Sequence, residues 1–414
     1  MRLAWDLARR YLAPRRGGKF LSFITWISLG GVTVGVTALI VVIAVMTGAQ
    51  EDFQVKILDA NPHILVLEYN DNLRMADWRP ILDSIKGVEG VVSATPFVLT
   101  KAMIVRGEYS QSADLYGVDT GELEGAATGI EERIRSGELT LTETESGLPP
   151  VLVGDELAVR MLLYPGDTLL AMSLENLRDN PLGGMPPSLR QYEMTGTFDT
   201  GLYDYDLANL YAPMEAVQDL LGMLEDDQIS GIGVRIEDPW AARAKAAEIR
   251  ELLGFPYSAE DWSTTNNTLF SALKLEKLAM GLILFLIVVV AAFNIVSTLV
   301  MVVVDRTREI GILKSMGMTD QGVLRVFVIQ GTWIGLIGST AGTVLGCILS
   351  WVLDTYEIIP IPPEVYFFDR LPVALHPEDV VLIFLASVGV AFAATIYPAL
   401  QASRLQPVEA IRHE

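Results

Sequence analysis

Three histidines, His63, His376 and His413, and a single cysteine, Cys347, are the residues of this 414-residue chain best suited to metal or redox chemistry. They stand far apart, so no ligand spacing of a metal site occurs. One cysteine excludes an intramolecular disulfide, and the apolar stretch around Cys347 suits a small packing residue better than a reactive thiol. Nucleotide chemistry has no foothold either. The one Gly-Lys pair, Gly18-Lys19, is followed by Phe20 rather than Ser or Thr, so there is no phosphate loop. Gly-x-Ser-x-Gly and His-Glu-x-x-His are missing as well. The expectation is a non-enzyme: no catalytic residue, no bound cofactor and no metal.

What must such a chain do instead? A mean hydropathy of +0.37 with 51% hydrophobic residues is too apolar for an ordinary soluble protein, yet 20% of residues are charged. Apolar spans joined to a soluble domain reconcile the two. Four stretches are long enough to cross a bilayer: about residues 23–46, 278–304, 326–353 and 380–400. The first is too long for a cleavable signal peptide and has no small-residue cleavage site after it. No acid falls within the spans, which argues against a proton relay. Asn294 in the second span reads as an interhelical hydrogen-bonding group rather than a substrate ligand.

Basic residues set the expected orientation. Arg2, Arg9, Arg10, Arg15, Arg16 and Lys19 precede the first span; Arg306, Arg308, Lys314 and Arg325 lie between the second and third; Arg404 and Arg412 follow the fourth. Both termini and the 305–325 loop are therefore expected in the cytoplasm. Residues 50–268 carry 15 Lys+Arg and 38 Asp+Glu, a net of −23 against −21 for the whole chain, so the acidity belongs to this one segment. Such a charge suits solubility in a bacterial envelope and excludes nucleic acid as a partner.

Within that segment short strands alternate with helices. HILVLEY, VVSATPFV, KAMIVRG and GIGVRIED read as strands, and ADWRPILDSIK and PWAARAKAAEIRELLG as helices, the latter with Pro near its start and Gly after its end. Strand–helix units at both ends predict an α+β subdomain whose halves are separated in sequence, with a largely β subdomain inserted between them. Residues 176–190, NLRDNPLGGMPPSLR, read as a projecting loop with apolar tips, a pattern that suits docking. In the 305–325 loop, Ile310, Leu313 and Met316 fall at helical spacing among Arg306, Arg308, Glu309 and Lys314. They predict an amphipathic helix ending near Gly317. It would lie in the lipid headgroups or couple to a motor subunit.

The run SLGGVTVGVTALIVVIAVMTGAQEDFQVKILDANPHI resembles the lipoprotein-releasing (Lol) permeases of ABC transporters. The likeness continues through REIGILKSMGM and YPALQASRLQPVEAIRHE, in order, across essentially the whole chain. The last two motifs are also similar to the wider MacB/FtsX-type permeases, in which four spans flank a large extracytoplasmic domain. The loop NPLGGMPPSLR sits where the LolC-type subunit carries its chaperone-gripping hook.

The resemblance implies a fold of four transmembrane helices plus an α+β, MacB-like periplasmic domain between spans 1 and 2. The divisions it implies are a cytoplasmic amphipathic segment 1–22, helix 23–47, periplasmic domain 48–268 and helix 269–304. A coupling helix 305–320, helix 321–353, a short periplasmic loop 354–378, helix 379–402 and a cytoplasmic tail 403–414 follow. It implies a bacterial inner membrane and, as partners, a LolD-like ATPase holding ATP and Mg, a second permease copy or paralogue, and a LolA-like chaperone. Membrane lipids and a triacylated lipoprotein complete the set. Arg308, Glu309, Ile310, Leu313 and Lys314 would couple to the ATPase. Gly183, Met185, Pro186 and Arg190 would dock the chaperone. Val34, Leu39, Val42 and Met46, with Phe293 and Val296, would line a lipid cavity. A MacB-type efflux permease and an FtsX-type regulator of a cell-wall hydrolase are the alternatives.

Overall fold

In the computed structural model, residues 19–69, 74–119, 133–137, 141, 144, 146–173, 175, 188–356 and 371–406 are described. The expected N-terminal amphipathic segment falls almost wholly outside them. So do residues 176–187 of the expected projecting loop, Gly183, Met185 and Pro186 included. The chain divides into two compact units: a helical one, and a second spanning Asp52–Ser271 together with 361–369.

Helix α1 runs unbroken over Lys19–Ala60, 42 residues, or about 63 Å at 1.5 Å per residue. It continues well past the apolar stretch, which the sequence ends at about residue 47. Phe53, Ile57, Leu58 and Ala60 are buried and recur at helical spacing, so the 52–60 segment keeps an apolar stripe to pack. Gly48 does not break it because a closely packed segment needs it there. A Cβ at Gly48 would lie 2.6 Å from Ala374 N and 2.7 Å from Pro372 O, while Ala374 N donates to Ala44 O at 2.9 Å.

After α1 come β1 (Ile64–Glu68), α2 (Trp78–Lys86), β2 (Val91–Arg106), β3 (Tyr109–Val118), β4 (Ile134–Gly137) and β5 (Pro150–Gly154). Then follow β6 (Thr168–Ser173), β7 (Ser188–Phe198), β8 (Asn209–Pro213), α3 (Met214–Leu221), β9 (Gly231–Ile236), α4 (Ala242–Leu253) and β10 (Tyr257–Asp261). The two ends of the segment meet. β1 lies antiparallel between β10 and β9, and β9 pairs antiparallel with the first half of β2. α2 and α4 supply the helical cover, burying Trp78, Leu82 and Ile85 from one and Ala242, Ala246 and Ile249 from the other. As the sequence punctuation implies, Asp238 accepts from Trp240 N at 3.0 Å ahead of α4, and Gly254 ends it at φ 64°.

The middle is not a separate sheet. β2 is one strand of 16 residues where two short strands are expected, because its halves have different partners: β9 over 91–97 and β6 over 102–105. The pairings β2–β3–β8–β5–β7–β6–β2 close into a ring, so this part is a small six-stranded barrel continuous with the sheet of the first part. Alternation puts Ala102, Ile104, Leu115, Ala171, Tyr192, Met194 and Val153 inside, all nearly or fully buried. Hydrophobic patterning reports strands but not ring closure, which depends on pairings far apart in sequence.

The helical unit contains α5 (Asn267–Asp305), α6 (Thr307–Ser315), α7 (Asp320–Tyr356) and α8 (Pro377–Ser403). Among the described residues, four helices are long and apolar enough to cross a membrane: Trp26–Ala60 within α1, Phe270–Asp305 within α5, and all of α7 and α8. α7 packs by small residues, as helices in lipid do when burial itself offers no driving force. A Cβ at Gly342 would meet Thr33 O and Val36 Cβ at 2.7 Å, and one at Gly331 would overlap Thr395 of α8. Thr37 Oγ1 donates to Gly342 O at 3.1 Å, and Ser28 of α1 bonds Thr298 of α5. Asn294 lays its amide over Gly31 of α1, where a Cβ would stand 2.3 Å from Nδ2.

In the barrel, a Cβ on Gly154 would stand 1.9 Å from the backbone oxygen of Asp206. Gly154→Ala is expected to cost the domain about 3 kcal/mol through this overpacking. Denaturant unfolding of the full-length chain in micelles checks it; an unchanged midpoint contradicts the packing described.

Candidate functional site

Three places on the chain gather the expected site residues. The first is a narrow cleft among α1, α5 and α8, with a cavity volume of about 30 Å³. Val32, Val36 and Leu39 line it from α1, Ile287, Val288 and Ile295 from α5, and Ser387 and Val390 from α8. Of the residues expected in a lipid cavity, Leu39 alone borders this cleft. Val34 and Phe293 turn outward, 68% and 67% exposed, and Val42, Met46 and Val296 are half-buried outside its lining. Val34 and Phe293 belong to a larger apolar surface in which α5 also presents Leu278, Leu282, Phe285 and Val290.

The second place is α6. It ends in a Schellman cap: Met318 N donates to Leu313 O and Gly317 N to Lys314 O, both at 3.0 Å, with Gly317 at φ 99°. The apolar periodicity is sound, but the faces it builds differ from the expected coupling set. Ile310 is 1% exposed, in a cluster with Val302, Val303, Val323, Phe327, Ala399 and Ala402. Lys314 also turns inward: its Nζ donates to Ser403 O at 2.8 Å and Leu405 O at 2.7 Å, and pairs with Asp320 at 2.8 Å. Glu309 is held by Arg306 at 2.6 Å, and Leu313 is half-buried. Arg308 is exposed, and so are Ile312 and Met316, four and eight residues on. Spacing groups Met316 with Ile310 and Leu313 and does not single out Ile312. Only the packing of α6 on α5, α7 and α8 shows that Ile312 and Met316 face out and Ile310 faces in.

The third place is the domain of the second unit. Arg190 is the third residue of β7 and is anchored to Asp219 of α3, so the end of the expected docking loop is fixed to the barrel. Where the domain receives α1, two contacts missed by sequence reasoning hold the helix end. Arg133 pairs with Asp59 at 2.7 Å, and Tyr205 donates to Ala60 O at 3.1 Å. Tyr205 in turn bonds Tyr211, which stacks on Tyr116 with ring centroids 5.2 Å apart. Burial pushes the Tyr116 hydroxyl up to about 12. This is a structural network: the Tyr205 and Tyr211 hydroxyls bond each other, and Tyr205 also reaches Ala60 O. Among the described residues no group of His, Cys, Asp and Glu is placed to hold a metal.

Two buried groups titrate in opposite senses. Asp206 accepts from Thr200 N and from Thr200 Oγ1, yet burial raises its carboxyl to about 7, with the Asp199 charge adding to the rise. His63 Nδ1 accepts from Ile236 N at 3.2 Å, which requires a neutral ring, and burial followed by the Arg235 charge lowers it to about 4. The native domain therefore binds more protons at Asp206 than the unfolded chain between about pH 4 and 7, and that contribution is lost as pH rises. At His63 it binds fewer between about 4 and 6.5, and that contribution is lost as pH falls. Relative to wild type, Asp206→Asn should tilt stability upward with rising pH across this window, and His63→Gln downward. Unfolding midpoints measured from pH 4 to 7 test both slopes.

The family described as MacB-like periplasmic core domain matches residues 25–252, and that described as FtsX-like permease C-terminal matches 281–407. The lipoprotein-releasing system transmembrane protein LolC of Xylella fastidiosa is 33% identical over 420 residues, 100% of this chain and 99% of the relative. LolE of Haemophilus influenzae is 26% identical over 424 residues, covering 99% of each. The solved periplasmic region of MacB from Actinobacillus actinomycetemcomitans covers 52% of this chain and 95% of that one, at 17% identity and a TM-score of 0.32.

Proposed function

The chain belongs to the lipoprotein-releasing transmembrane proteins, permeases with a MacB-like periplasmic core domain and an FtsX-like C-terminal part, and we propose that it is the membrane subunit of an ATP-driven complex that lifts lipoproteins from the outer leaflet of the bacterial inner membrane and hands them to a periplasmic chaperone. Full-length similarity to LolC, through spans and domain alike, is the observation that carries this reading. In this reading both termini and α6 lie in the cytoplasm and the large domain in the periplasm. ATP and Mg belong to a LolD-like ATPase, and a second permease, identical or paralogous, completes the membrane part.

The physical need is plain. Moving acyl chains out of a bilayer costs about 0.8 kcal/mol per CH₂, so a triacylated substrate calls for an apolar path and an outside energy source. This chain offers a path: the outward apolar surface of α1 and α5, Val34 and Phe293 included, backed by the cleft at Leu39. The drive enters at α6 through its outward face, Arg308, Ile312 and Met316, with Glu309 and Leu313 at its margin. The chaperone docks on the segment before β7, through Gly183, Met185 and Pro186, with Arg190 in β7 at its base.

The decisive experiment purifies the chain with its ATPase, reconstitutes it in liposomes and follows ATP-dependent release of a triacylated lipoprotein to a LolA-like chaperone. No release above the ATP-free control sinks the proposal. Two variants refine it. Deletion of 181–187 should abolish chaperone crosslinking while membrane levels hold; normal transfer refutes a docking role for the loop. Ile312→Asp with Met316→Asp should reduce ATPase copurification roughly tenfold, as loss of two apolar anchors implies; undiminished copurification removes that face from the interface.

A further inference from the structure

Lys314 stands at a junction of three helices. Its side chain is 11% exposed, and its ammonium has three donors, each with an acceptor: Ser403 O, Leu405 O and Asp320 Oδ1. Ser403 ends α8 and Leu405 follows it, so two of the three are carbonyls at the C-terminus of a long helix, where its dipole favours a cation. Asp320 is the first residue of α7, where the dipole favours an anion. The Schellman cap fixes the Lys314 backbone at the point from which the side chain must reach.

The chain path gives this clasp its importance. α6 is joined to α5 and α7 covalently, through Arg306 and through the short 316–319 turn. Side chains alone join it to α8. One joint is the apolar cluster of Ile310 with Ala399 and Ala402, which resists separation but not sliding. The other is the Lys314 tripod, whose charge-assisted bonds are directional.

We propose that Lys314 is a positioning residue that locks α6 to the ends of α7 and α8, so that a push on the exposed face of α6 moves α8 along with α5 and α7. It would thus act in transmission rather than as a contact with the ATPase. This rests on the reading of α6 as the element the ATPase engages.

Three variants of the full complex in liposomes test it: Lys314→Met, Lys314→Arg and Asp320→Asn. With Lys314→Met, ATPase copurification should stay at the wild-type level while lipoprotein released per ATP hydrolysed falls about tenfold, the scale of a lost charge-assisted bond. Lys314→Arg, which keeps charge and donors, should restore most of the ratio. Asp320→Asn keeps the two carbonyl acceptors, should fall between, and decides the matter if Lys314→Met fails to accumulate. Nitroxide labels at exposed Ser315 and Gln401 should give one narrow distance in wild type and a broadened distribution in Lys314→Met.

ATPase loss from Lys314→Met would make the residue a docking contact and overturn the proposal. A wild-type release ratio in Lys314→Met, or in Asp320→Asn alone if the former is absent, would overturn it too. If the wild-type complex releases no lipoprotein, the functional reading fails. The label distances still judge the clasp, and an unbroadened distribution then refutes it.

Discussion

Everything in this chain depends on a helix that does not stop where the apolar stretch stops. In hydrocarbon every backbone group must bond internally, so the chain crosses as helices. α1 carries that solution onward to Ala60, and its last nine residues already belong to the second unit. At Ala60 the final carbonyl is taken by Tyr205, and one residue earlier Asp59 is paired with Arg133. The rod therefore ends on a barrel network, not on a flexible linker. Within the second unit, the end of α1 connects to Tyr205, Tyr211 and Tyr116 by side-chain contacts alone.

The four apolar helices were the most legible property, because about twenty apolar residues in a row have few other uses. The α+β half of the domain was also legible: Asp238-Pro239 and Gly254 frame α4 by chemistry that works locally. Ring closure was not, since β6 joins β2 and β7 through pairings that no single segment encodes. The extent of α1 was missed for a related reason. Residues 48–60 are polar enough to read as the start of a domain, and only their buried stripe of Phe53, Ile57 and Leu58 keeps them helical.

The candidate sites split along the same line. That REIGILKSMGM forms an amphipathic helix follows from spacing, but which stripe faces the protein does not. Ile310 and Ile312 are equally apolar, yet one is 1% and the other 46% exposed. Lys314 is harder still. A lysine on a charged helix reads as a solvated or docking residue, and its three acceptors lie on Asp320, Ser403 and Leu405, the last two about 90 positions away. Arg190 looked like part of a loop and is instead anchored as the third residue of β7.

The cleft and the exposed apolar surface bear on how many copies a transport path needs. A cavity volume of about 30 Å³ has room for about two waters, far short of three acyl chains. Val34 and Phe293 lie outside the lining of the cleft, on the exposed apolar surfaces of α1 and α5. Lipid can cover such a surface at no cost, so its exposure alone demands no partner. If, however, the substrate's acyl chains are to leave the bilayer by an apolar route, that surface must face another apolar wall rather than open lipid. A second permease supplies that wall with the fewest new parts, and rotation about a twofold axis would set α1 and α5 of one copy opposite those of the other. The narrow cleft would then serve packing, and the open surface would serve the cargo.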